Sequence, residues 1–226
     1  TGEDTELLYI PFTLGVTPIE PLTLSLTLPY VRQTTQTVVT TGGGVAVRRE
    51  NARRVKTESR AVTRTEDGMG DILLKGEYVL LKEQPLIPEI AGSLKIKFPT
   101  ADEDEGLGTG EFDETIGVGF SKTFLERLAA YLTLGYTFVG SPPGTELDDS
   151  FSWSIGAAYS VAPPVAFFAF LDGATAIAPG QEDPLELRVG AEYKLNHAVK
   201  LTGSVGVGLS DGSPDFGVSV GLGIRF

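Results

Sequence analysis

The sequence contains no cysteine, and only one histidine, one methionine and one tryptophan among its 226 residues. Without cysteine there are no disulfides, no thiolate metal sites and no cysteine nucleophile. The absence also suits a chain that passes through an oxidising compartment. No stretch approaches the ~18 consecutive apolar residues of a membrane-spanning helix. The most apolar segment, VAFFAFLDGATAIA, follows Pro163 and Pro164 and is interrupted by Asp172. Helical spacing is nearly absent as well: only FLERLAAYL has it, and that segment sits between two of a different period. Basic residues are the minority, 18 Lys and Arg against 30 Asp and Glu, and the formal net charge of −12 argues against a nucleic-acid partner. The opening TGEDTELL lacks the positive segment of a signal peptide, so a mature form or a fragment is expected. Hydropathy alone describes a soluble chain.

Alternation describes something else. In GVSVGLGIRF, the last ten residues, Val218, Val220, Leu222, Ile224 and Phe226 fall on one side of a strand, and Gly217, Ser219, Gly221, Gly223 and Arg225 on the other. The same period recurs in LLYIPFTLGV, LTLSLTLPY, DILLKGEYVLL, IAGSLKIKF, TIGVGFSKTF, YLTLGYTF, FSWSIGAAYSV, VAFFAFLDG, LELRVGAEYKL and KLTGSVGVGL. That makes about eleven strands of roughly ten residues, the length that crosses a bilayer at a tilt. A soluble sandwich would carry many charges on its second faces. Here those faces are mostly Gly, Ser, Thr and Ala, as in the crowded interior of a barrel. Phe98, Phe124, Tyr159, Tyr193 and Phe226 stand near strand ends, where aromatic girdles meet the membrane interfaces. The fold class is therefore all-β, a transmembrane antiparallel up-and-down β-barrel.

Short connections (TPIEP, KEQPLIP, LERLA, VAPP, LNHA) alternate with long ones (from Gln33 to Gly70, PTADEDEGLGTGEFDE, GSPPGTELDDS, APGQEDPL, SDGSPD). Outer-membrane barrels have short periplasmic turns and longer outside loops. If Phe226 ends in the periplasm, every short turn falls there and every long loop outside. Eleven strands would then leave Thr1 outside the cell, whereas bacterial barrels have even strand numbers. An edge in lipid would leave backbone groups unpaired, each costing several kcal/mol. About twelve strands are expected, the first of them upstream of Thr1, in a single barrel domain over residues 1–226 with a basic extracellular insert at about 36–67.

Three stretches, GMGDILLKGEYVLL, AGSLKIKFPTADEDEGLGTGEFDETIGVGFSKTF and YLTLGYTFVG, carry a resemblance. Gly68, Gly70 and Asp71 open a strand, Lys97, Pro99 and Thr100 close the next, and Gly108, Thr109 and Gly110 form a GTG loop. In this order they resemble the family of outer-membrane transporters named for the MetA pathway of phenol degradation, from about Leu7 to the end. The resemblance implies an outer-membrane barrel in a Gram-negative bacterium that passes small, frequently aromatic compounds. It supplies no catalytic residue, and the insert from Gly42 to Asp67 departs from the family's short loop at that place.

The inward-facing candidates are Lys75, Glu77, Lys95, Lys97, Asp172, Glu186, Arg188, Glu192, Lys194, Lys200 and Arg225. They read either as a salt-bridge ladder that stabilises the wall or as a polar permeation path. If Asp172 faces inward, Phe168 and Phe170 do too, giving the lumen an apolar patch suited to an aromatic solute. Twelve strands lie between the filled eight-stranded barrel and the wide sixteen-stranded channel, so small inward residues decide how much space is left.

Arg48, Arg49, Arg53, Arg54, Lys56, Arg60 and Arg64 make VRRENARRVKTESRAVTR basic within an acidic protein. This insert extends the barrel as a hairpin, its charges solvated or paired with lipopolysaccharide phosphates; or pairs with the acidic loop from Asp102 to Glu114; or folds inward and favours anions. His197, in KLNHAVK, belongs to a periplasmic turn, the wrong end for a barrel hydrolase. GLGTG is followed by nothing helical and is no phosphate loop. The acidic loop fits no calcium-binding spacing and reads as solvated. No catalytic residue, metal or cofactor is expected. The expected partners are membrane lipid, lipopolysaccharide, a small solute, and the outer-membrane assembly machinery through Phe226. The expected function is passive diffusion through a narrow polar lumen, with a non-conducting surface scaffold as the rival.

Overall fold

A computed structural model describes residues 3–40 and 59–225. Among them there are twelve strands: β1 (Glu3–Ile19), β2 (Leu22–Thr40), β3 (Ser59–Met69), β4 (Ile72–Leu81), β5 (Glu89–Phe98), β6 (Asp113–Phe124), β7 (Leu128–Val139), β8 (Ser150–Ala162), β9 (Val165–Ala174), β10 (Leu185–Lys194), β11 (Val199–Gly208) and β12 (Phe216–Ile224). No described residue is helical. Hydrogen bonding follows chain order, β1–β2–β4 through to β12, with β3 paired to β2 off this path. The path contains the segments whose period-two alternation is visible in the sequence. Sequential antiparallel pairing is the up-and-down topology that short connections permit.

β3 is the strand that alternation does not announce. SRAVTRTEDGM has no apolar face, yet it pairs with the far half of β2 from Tyr30↔Met69 to Thr40↔Ser59. A two-stranded ribbon needs no apolar face to pair the backbone groups between its strands. The flanks of the basic insert pair as a hairpin; its central Arg48, Arg49, Arg53, Arg54 and Lys56 lie outside the described residues, as does Phe226.

FLERLAAYL, with its helical spacing, is a hairpin instead. Leu125 and Glu126 take left-handed φ values of 51° and 60° between β6 and β7. These are the two central positions of a turn whose twist matches the flanking strands. Backbone pairing on both sides, from Phe124↔Leu128 upward, overrides the local spacing.

Packing divides the chain into two compact units. One comprises Thr1–Phe12, Thr27–Ile72 and Pro99–Gly110. The other comprises Thr13–Leu26, Leu73–Phe98 and Glu111–Phe226.

The apolar residues are on the outside. Among the described residues no hydrophobic side chain is buried, and the large apolar ones are half exposed: Ile155 at 52%, Phe167 at 54%, Val189 at 47%. They alternate with less exposed small and polar residues along β8 to β11. A water-soluble domain cannot leave this much apolar surface uncovered, whereas a bilayer covers it. Phe124, Tyr159 and Tyr193 lie on this outer face, close to half exposed, and Phe98 meets Phe112 edge-on at 5.7 Å.

Candidate functional site

The opposite, less exposed face collects the charged residues. Register decides which of them meet, because residues directly opposite on paired strands share a face. On β9 and β10, Asp172, Phe170 and Phe168 stand opposite Glu186, Arg188 and Gly190. On β8 and β9, Ser154 and Gly156 stand opposite Asp172 and Phe170. On β7 and β8, Thr133 and Tyr131 stand opposite Ser154 and Gly156. Four neighbouring strands therefore contribute to a single patch.

Its chemistry is mixed. Arg188 reaches Asp172 Oδ2 through Nη2 at 2.9 Å and Nε at 3.2 Å. Ser154 Oγ donates to Asp172 Oδ1 at 2.5 Å. The Arg188 guanidinium also lies 5.4 Å from the Phe170 ring centre, a cation–π contact. Phe170 is flanked by Phe168 at 5.9 Å and Tyr131 at 5.8 Å. These rings need room, and glycines provide it: a Cβ at Gly156 would strike the Phe170 ring, and one at Gly190 the Phe168 ring. The patch presents aromatic faces beside a neutralised ion pair.

The remaining inward candidates form smaller groups. Lys75 Nζ is 2.7 Å from Glu77. Lys97 Nζ is 2.7 Å from Asp113. Lys95 stands opposite Thr115, whose hydroxyl is 2.9 Å from that of Thr137. Glu192 receives Lys200 at 2.9 Å, with Lys194 at 4.0 Å. Those three residues, Arg225 and His197 line a cavity of about 1330 Å³ together with Thr13 and Thr17 of β1. His197 follows Asn196, whose side-chain oxygen accepts from the amides of Ala198 and Val199 at 2.8 and 2.9 Å. The polar face thus carries cross-strand ion pairs and open space together. Tyr131 and Ser154 are site residues that alternation alone does not single out.

The motif residues have a different task. Asp71 Oδ1 accepts from the amides of Thr100 and Ala101, both at 3.0 Å. Ile72 N donates back to Thr100 Oγ1 at 3.0 Å. Leu107 lies over Gly68, and Gly108 passes beside Asp71 and Ala101 too closely for a side chain. The Gly-x-Gly-Asp and K-x-P-T elements are therefore two halves of a clasp that holds the loop from Pro99 to Gly110. In the same unit Arg64 pairs with Glu66 at 2.6 Å, with Glu105 of the acidic loop within electrostatic reach. Arg60 stands on β3 opposite Val39.

Comparison with known proteins follows this geometry. A family model described as MetA-pathway of phenol degradation matches residues 13–226. Among solved structures, an outer membrane channel from Pseudomonas putida F1 superposes with a TM-score of 0.66 at 16% identity, covering 97% of this chain and 82% of that one. The CymD monoaromatic hydrocarbon channel aligns with a TM-score of 0.49 at 13% identity, over 91% of this chain and 69% of that one. No curated protein matches the chain. The fold is that of an outer-membrane β-barrel.

Proposed function

The chain belongs to the MetA-pathway of phenol degradation family, and from that membership we propose an outer-membrane channel through which small solutes, aromatic ones among them, diffuse passively. One barrel domain carries it, with the β2–β3 hairpin as an extracellular extension. The polar face bearing Lys75, Glu77, Lys95, Lys97, Asp172, Glu186, Arg188, Glu192, Lys194, Lys200 and Arg225 lines a narrow lumen in this reading, and the apolar face meets lipid. The observation that carries it is the patch of Phe170, Phe168 and Tyr131 beside the Arg188–Asp172 pair. Such a patch offers stacking surface to a ring while its charges cancel, so a neutral aromatic solute loses little hydration in passing. The solved protein of like fold is also described as a channel.

Reconstitution tests this directly. Liposomes containing the protein swell in isotonic solutions of small neutral aromatic alcohols, and planar bilayers carry discrete single-channel currents. A second reading draws on the clasped loop held by Asp71, a rigid outside feature fit for a binding surface. In that reading the barrel is a non-conducting scaffold, and neither swelling nor current occurs.

A further inference from the structure

Glu186 is a charged group of the wall that has no ion-pair partner among the described residues. It stands directly opposite Asp172 on the neighbouring strand, and like charges at opposed positions repel. Arg188 neutralises Asp172 alone, at 2.9 Å. Glu186 turns away, its carboxylate against Gly206, where a Cβ would occupy the same space. Among the described residues it makes no hydrogen bond and no ion pair. It lines a cavity of about 340 Å³ with Thr133, Ser152, Ser154, Pro184 and Pro214. That volume falls near the lower end of the ~300–1,000 Å³ typical of small-molecule pockets.

The geometry points to a subsite for a small organic cation, a primary ammonium group on a compact apolar body. The Glu186 carboxylate supplies a charge-assisted acceptor. The hydroxyls of Thr133, Ser152 and Ser154 supply further lone pairs, since a hydroxyl that donates still accepts. Pro184 and Pro214 bound the apolar side of the cavity. An anion meets two carboxylates there, and a neutral alcohol leaves the Glu186 charge uncompensated. A divalent metal lacks ligands, because no group of three acidic or imidazole side chains occurs among the described residues.

This subsite rests on the lumen reading of the polar face, but its occupancy is measurable in detergent solution without conduction. A barrel that passes no current therefore leaves the test intact. The purified protein is titrated calorimetrically with benzylammonium, benzyl alcohol, benzoate and ammonium chloride. Benzylammonium binds saturably and at least about tenfold tighter than the other three, as a charge-assisted hydrogen bond in a partly closed cavity warrants. Glu186→Gln abolishes that preference. Glu186→Asp, which keeps the charge, retains the preference. Equal affinity for benzylammonium and benzyl alcohol in the unaltered protein overturns the proposal. Undiminished preference in Glu186→Gln overturns it equally, and ammonium binding as tightly as benzylammonium overturns the role of the apolar body.

Discussion

Arg188 on β10 lies over the ring of Phe170 on β9, its guanidinium 5.4 Å from the ring centre. The two residues are directly opposed in the ladder, so the contact follows from register and persists only while the pairing does. Through the same guanidinium Phe170 is tied to Asp172 and thence to Ser154. Aromatic surface and ion pair therefore respond together.

Substitution separates the two. Phe170→Ala removes the central ring of the patch while keeping the Arg188–Asp172 pair. Liposome swelling by aromatic alcohols slows about twofold to tenfold relative to aliphatic alcohols of equal size, the range expected for one aromatic contact. Arg188→Gln instead leaves Asp172 and Glu186 uncompensated, and the zero-current potential in a salt gradient shifts toward cation preference.

Loss of Asp71 loosens the clasped loop. In Asp71→Ala the amides of Thr100 and Ala101 lose their shared acceptor, a change of about 1–3 kcal/mol for each hydrogen bond to a charged group. Hydrogen exchange at those two amides rises by at least about tenfold, while exchange in β8 to β10 is unchanged. Asp71→Asn, which keeps a carbonyl oxygen, shows the smaller increase.

Acid opens a specific turn. Glu83 receives Lys122 at 2.9 Å, the Thr123 amide at 2.9 Å and the Thr123 hydroxyl at 3.1 Å. The Lys122 hydrogen bond, then that from the Thr123 amide, hold its carboxyl below the ordinary carboxylate value. A carboxyl lowered on folding contributes stability above its unfolded pKa and loses it as pH falls through the folded value. Exchange at the Thr123 amide, corrected for intrinsic rates, is therefore protected at pH 7 and gains speed below the usual carboxylate range. Glu83→Gln, which keeps a carbonyl oxygen but no charge, is less protected at pH 7 and loses the pH dependence.

The outer face has its own test. Arginine at Ile155 or Val189, mid-strand and outward, destabilises the folded protein in lipid vesicles by about 2–4 kcal/mol. Arginine at Leu209, outward and just beyond the end of β11, costs about 0–1 kcal/mol because it stays at the interface. Urea-induced unfolding in vesicles measures both.

The strand path is legible because burial on one face imposes period two, and each of its segments shows it. β3 is illegible for the same reason: neither of its faces is apolar, so no period marks it. The candidate charges could be placed on a face by parity, but partners depend on register, which parity leaves open. Lys75–Glu77 is legible as a pair two residues apart on one strand. Tyr131 beside Phe170 is not, since β8 lies between them and Gly156 makes the approach possible. The motif around Asp71 drew notice by its pattern, while its role depends on Thr100, brought back by a strand pair. Glycine-rich spacing shows that something is tightly packed without showing what.

The absence of cysteine makes the decisive measurement simple. Ser154 and Ile155 are neighbours on β8 and face opposite sides of the wall. Each is replaced singly by cysteine, and current through the reconstituted protein is followed while a charged thiosulfonate reagent is added. The account predicts that Ser154→Cys is modified and its current falls, while Ile155→Cys neither reacts nor changes. Modification confined to Ile155→Cys, or the absence of any current to block, would contradict it.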